Sequence, residues 1–239
     1  MAEPLITYDA FKSLAGSEDL FAAFDHLQNA GTPSQVASTF ESLHLEAYWK
    51  RKDLPLVITL TTTGIQFCLA HARLAEITAD QDGAYSLRSV AKGLAYNLGS
   101  FTWPGWDEPG ISPTPADVAL GLEAARFNLR LAVELKKNAD RVRDAHWLLG
   151  AHLLAAGEVE NAVEHLVQAV PPDGADPYGN MFRGYVLLAK CMASDEASDE
   201  WTELLASLEE TEGEAATFSY KQLTTAWRAL HRFRAEAEA

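Results

Sequence analysis

Cys68 and His71 stand three residues apart, a spacing that brings both side chains to one face of a helix and could pair a thiolate nucleophile with a base. They lie in the most apolar stretch of the chain, where a cysteine serves as inert packing. The adjacent carboxylates Asp107 and Glu108 would act as general acid and base only if burial held one of them protonated, and acids in a loop are ordinarily solvated. The seven histidines (His26, His44, His71, His146, His152, His165 and His231) form no HExxH, and the two cysteines form no Cys-x-x-Cys, so no metal site is expected. Asp80-Gln81-Asp82-Gly83 matches the first positions of a calcium loop, but Ala91 stands at the twelfth, where a bidentate acid belongs. It reads as a turn between helices. Neither a phosphate-cradling glycine loop nor a G-x-S-x-G elbow occurs. We therefore expect no catalytic residue and no cofactor.

Surfaces are the alternative to chemistry. The 239 residues are 48% hydrophobic and 22% charged, enough to bury a core, and their formal charge of -15 disfavours nucleic acid and anionic membranes as partners. A basic or apolar partner fits better. The charge is uneven: Arg126, Arg130, Lys137 and Arg141 recur at helical spacing as a basic stripe, whereas Asp195 to Glu214 holds nine acids and no Lys or Arg. The stripe is either a solvated helix face or a docking surface for an acidic partner. Two cysteines are too few for a disulfide scaffold, and Met1 to Leu20 has no apolar run of signal-peptide length, so a cytoplasmic location is expected. Leu54 to Ala72 lacks charged residues and is long enough for a membrane span, but Thr59, Thr61, Thr62, Thr63, Gln66 and His71 argue for a buried helix instead.

Apolar residues recur at helical spacing almost throughout: Leu20, Phe24 and Leu27; Phe40, Leu43 and Ala47; Leu60, Phe67 and Leu74. Between these stripes fall Ala30 to Pro33, with Ser34 as the expected N-cap, then Lys52-Asp53 before Leu54-Pro55, and Asp80 to Gly83. Val57 to Thr63 has strand propensity, but a 3.6-residue period carried through to Leu74 predicts helix. The fold class is all-α.

A repeat is visible from Ala145 onward. Leu149-Gly150 and Leu153 supply a close-contact glycine and a large residue, Gly157 ends that helix, Ala162, Leu166 and Ala169 form the stripe of a second helix, and Pro171-Pro172 stops it. The unit resembles a tetratricopeptide repeat, with His146 in place of the aromatic expected four residues before Gly150. Gly184 and Leu187 repeat the pattern 34 residues later, followed by a second helix carrying Ala197, Trp201 and Leu204. An upstream copy has Gly93 and Tyr96, then Ala125, Leu129 and Ala132, split by an insertion from Gly99 to Pro115. The resemblance implies one right-handed α-α superhelix over 1–239: N-terminal helices over 1–80 without a motif, three repeats over 85–210, and a capping helix over 217–234.

In the resembled family an inner groove binds peptides or protein segments and does no chemistry. Carried over, the groove residues are Asn97, Trp147, Leu154, Met181, Tyr185 and Leu188, and a protein or peptide partner is expected. Substituting Trp147 or Tyr185 by Ala would then abolish binding and leave the fold intact. Phe101, Trp103 and Trp106 in the insertion are costly to leave in water, and they either pack on the helices as a spacer or form a lid over a ligand. Two other readings stay open: a self-assembling subunit whose groove is filled by another copy, and an enzyme on a helical scaffold.

Overall fold

The computed structural model describes residues 4–172, 177–194 and 196–237. Among them are eleven α-helices, one 3-10 turn and no strand, so the all-α class is correct. The chain packs as two compact units, Met1–Phe101 and Thr102–Ala239.

The first unit holds α1 (Tyr8–Ser17), α2 (Leu20–Asn29), α3 (Pro33–Trp49), α4 (Leu54–Ile77) and nearly all of α5 (Gln81–Thr102). One phenylalanine from each of the first four helices forms a continuous ring path: Phe11 meets Phe24 at 5.1 Å between centroids, Phe24 meets Phe40 at 6.1 Å, and Phe40 meets Phe67 at 6.0 Å. The β-branched run is helical, as its period requires: its threonines return their hydroxyls to carbonyls one turn back, Thr59 to Pro55 and Thr61 to Val57. Among the described residues α4 is the one helix long and apolar enough to cross a membrane by length and composition. Its inner face, including Leu56, Leu60 and Phe67, is buried, whereas Leu74 at the end of the predicted stripe is more than half exposed.

Two boundaries differ from expectation. Thr32, not Ser34, caps α3, because Pro33 at the first helical position leaves Thr32 to form a capping box with Gln35. Asp80 likewise caps α5, accepting from the Gly83 N–H at 2.9 Å, so residues read as an inter-helix turn already belong to the helix.

The second unit holds the 3-10 turn Pro104–Trp106, α6 (Pro115–Glu134), α7 (Ala139–Ala155), α8 (Val159–Ala169), α9 (Pro177–Ser194), α10 (Asp199–Glu210) and α11 (Glu214–Ala237). The expected insertion shrinks at both ends: Gly99–Thr102 completes α5, and Pro115 opens α6 behind a Thr114–Asp117 capping box. Gly157, at φ +81°, ends α7 in a Schellman motif, with Glu158 N–H bonded to Leu153 O and Gly157 N–H to Leu154 O. Lys136 ends α6 with the same bonds at φ 49°, although it carries a Cβ.

That turn breaks the basic stripe. Arg126 and Arg130 are on α6, Lys137 lies in the connection and Arg141 is on α7, so the four residues do not share one helix face. The arginines also have local acids: Arg126 pairs with Glu123 and Glu158, Arg130 with Glu134, and Arg141 with Asp144.

Consecutive helices pack side by side, α6 on α7, α7 on α8 and α8 on α9. Gly150 is the close contact between α7 and α8: a Cβ there would sit 2.6 Å from Leu166 Cγ and 3.0 Å from Ala162 O. Gly184 differs from expectation, for the side chain crowding it is Leu223 of α11 rather than one from α10. α11 packs on α9, α10, α7 and the 3-10 turn, and so does more than close an end. Its Arg234 donates to Leu154 O at 2.8 Å and Met192 O at 3.4 Å, in the last turns of α7 and α9. Ala197 lies before α10, outside the helix expected to contain it, and Asp195 lies outside the described residues.

Candidate functional site

Two of the expected groove residues of the second unit, Trp147 and Tyr185, gather around one indole. Trp103 is 1% exposed and lies between Trp147 and Tyr185, with ring centroids at 5.6 and 5.8 Å. Its Nε1–H donates to the carbonyl of Ala151, inside α7, at 3.1 Å. Trp106 is half-buried and contacts both Trp103, at 5.1 Å, and Trp147, at 5.5 Å. Burying one such indole is worth about 4 kcal/mol by transferred area.

The residues of this segment explain its path. Trp103 precedes proline and is extended, at φ -79° and ψ 121°, which leads the chain off α5. Pro104 starts the 3-10 turn, and a Cβ on Gly105 would clash with the Trp103 ring, so the backbone passes this close to the indole with glycine there. Asp107 closes the turn in the left-handed region, its N–H bonded to Pro104 O at 3.2 Å, and its carboxylate pairs with Arg232 of α11. That pairing, on the surface, is where the expected acid at 107 is spent.

The open apolar groove expected from the sequence is therefore a filled one. Leu154, Leu188 and Tyr185 are fully buried, Trp147 is 5% exposed and Met181 is half-buried. An Ala at 147 or 185 would remove core volume at about 3–5 kcal/mol, so those substitutions bear on stability as well as on binding. The spacer and lid alternatives for the loop also resolve in part: the loop packs. Asn97 belongs to the first unit, where its Nδ2 donates to His44 Nε2 at 2.9 Å. The His44 Nδ1 faces Phe40 O at 2.9 Å and must carry the hydrogen, which leaves Nε2 as the acceptor; burial pushes this histidine down to about 4.

One polar group in the aromatic cluster is unsatisfied. The Trp147 Nε1–H is buried and has no acceptor among the described residues, a state that costs roughly 1–3 kcal/mol. The sequence carried no sign of it.

The residues first considered for chemistry are dispersed. Burial pushes the Cys68 thiol up to about 12, which leaves no thiolate near neutral pH. His71 stacks on Phe67 and lines an open cavity of about 510 Å³ with Leu74, Asp80 and Asp82, a wall to which Cys68 does not contribute. Among the described residues no three metal-ligating side chains converge. A pairing not foreseen is that of His146 on α7 with His165 on α8, their Nδ1 atoms 2.9 Å apart. One must donate and the other accept. Burial lowers both, and for His146 the neighbouring imidazole adds to the effect. The hairpin register that sets Gly150 against Ala162 also brings these two rings together.

Comparison with protein-family models, with curated proteins and with solved structures finds no match for this chain.

Proposed function

We propose that the chain is a non-catalytic interaction module of tetratricopeptide-like helix pairs that binds a peptide or protein segment on the aromatic face of its second unit. The observation that carries this is the way Trp103 is held: a non-helical segment sits on α7 and α9 through one indole and one backbone acceptor. A surface that receives a turn of its own chain in this manner has the chemistry to receive another. Two free, buried cysteines support a reducing compartment such as the cytoplasm.

Photo-crosslinking tests the proposal. A benzoylphenylalanine at position 106, beside the face, should capture one polypeptide through a contiguous segment, while the same probe at the exposed Val133 of α6 should not. Equal capture from both positions, or none from 106 in native extracts, refutes binding at this face.

A second reading, self-assembly, is favoured by Tyr178 and Phe218, which are 54% and 47% exposed with rings 6.4 Å apart. Sedimentation across a hundredfold concentration range decides it: a monomer throughout excludes self-assembly.

A further inference from the structure

We infer that the Trp103–Asp107 turn is an internal occupant of the aromatic face, and that the partner taken there is a protein segment of the same chemistry: an indole, a Pro-Gly turn and a following acid. This deepens the interaction reading above and rests on it. Four features make the turn resemble a seated ligand. The indole is enclosed by rings from two other helices, Trp147 and Tyr185. Its N–H is met by a main-chain carbonyl, that of Ala151, the kind of acceptor an incoming segment also finds. Gly105 lies too close to the Trp103 ring to carry a Cβ, so shape selects the residue two positions after the aromatic. Beside the packing of α11 on the turn, its charged tie is a surface ion pair between Asp107 and Arg232, two side chains that are 42% and 56% exposed and separable without opening the core.

The fit of the internal turn is also incomplete, because the buried Trp147 N–H is left without an acceptor among the described residues. An occupant in trans that brings a carbonyl to this N–H would make one more buried hydrogen bond than the internal turn does, and so has a reason to replace it. Occupancy is then a competition in which the internal turn lowers the apparent affinity of any partner by the fraction of time it is seated.

The experiment uses the full chain and a fluorescent synthetic peptide with the sequence of residues 101–109, followed by anisotropy. Gly105→Ala in the protein sets a Cβ against the edge of the Trp103 ring, which disfavours the seated turn and changes no residue of α7 or α9, so it should bind the peptide at least about tenfold more tightly than the unaltered protein. Arg232→Glu removes only the surface tie and should tighten binding about three- to fivefold, with Asp107→Arg added to it restoring the original value. The second pair keeps the test decisive if Gly105→Ala fails to fold. A peptide with Ala in place of the first Trp should not compete. Saturable binding absent from all folded variants overturns the inference, as does a Gly105→Ala protein that dimerises and still ignores the peptide. If crosslinking at position 106 captures a partner whose affinity is equal in all these variants, the interaction reading stands and the internal-occupant inference falls.

Discussion

Gly150→Ala separates two opposed effects at one position. In isolation the change favours the helix by about 1 kcal/mol, since glycine is the costlier residue in a helix interior. Here the new methyl would stand 2.6 Å from Leu166 Cγ, 2.9 Å from its Cδ2 and 3.0 Å from Ala162 O. Leu166 is fully buried and cannot swing away, and the carbonyl belongs to the backbone of α8, so the two helices must part. Overpacking of this kind costs about 1–3 kcal/mol, enough to cancel the propensity gain and leave a net loss of up to about 2 kcal/mol. Gly93→Ala is the control: its Cβ would meet only Glu41 Oε1, at 3.8 Å, so α5 should gain up to about 1 kcal/mol. Urea unfolding followed by circular dichroism reads both, with thermal midpoints moving about 2–8 °C per kcal/mol in opposite directions. Leu166→Ala should cost less in the Gly150→Ala background than alone, a coupling of about 1 kcal/mol. A Gly150→Ala protein as stable as the parent, with no coupling to position 166, would refute the close approach of α7 and α8.

Three further outcomes are expected. His44 is held neutral, so its contribution is complete above its unfolded pKa near 6.5 and is lost as pH falls toward about 4; the loss should reach roughly 2 kcal/mol by pH 5. Comparing urea midpoints of the parent and His44→Gln from pH 7 to pH 4.5 isolates it, and parallel profiles would exclude it. Native Cys68 should resist alkylation at pH 8 and react only through unfolding, so a labelling rate independent of urea would contradict its burial. Arg234→Ala should cost about 1–2 kcal/mol by leaving the Leu154 and Met192 carbonyls without their charged donor, with Arg234→Lys recovering part of it; an unchanged midpoint would show that this donor adds nothing.

The helices were legible because burial of one face imposes its period locally, even on Val57–Thr63, whose propensity points elsewhere. Helix ends were legible only where the chemistry is unambiguous. Gly157 announces a left-handed cap, whereas Lys136 adopts the same geometry without glycine and hid the break in the basic stripe. Side-chain partners were legible within a hairpin and lost beyond it. Gly150 signalled a close neighbour, but that Leu223 should crowd Gly184 depends on the path of α11, which no local pattern encodes. The aromatic residues of the candidate site stood out in the sequence by their type. That Trp103 would fill the space between Trp147 and Tyr185 depends on a turn whose fit to the indole is a tertiary property.

The contacts that α11 makes bear on the order of folding. Arg232 reaches back across 125 residues to Asp107, and Arg234 across 80 to the end of α7. Contacts so distant along the chain close late, after the hairpin of α7 and α8 has formed from its own local pairings. During synthesis the Trp103 turn therefore gains its Asp107–Arg232 pair, and the packing of α11 on it, only after α11 has left the ribosome. Until then the Leu154 and Met192 carbonyls lack Arg234 and Gly184 lacks the Leu223 side chain that crowds it, so the second unit is closed only when α11 docks.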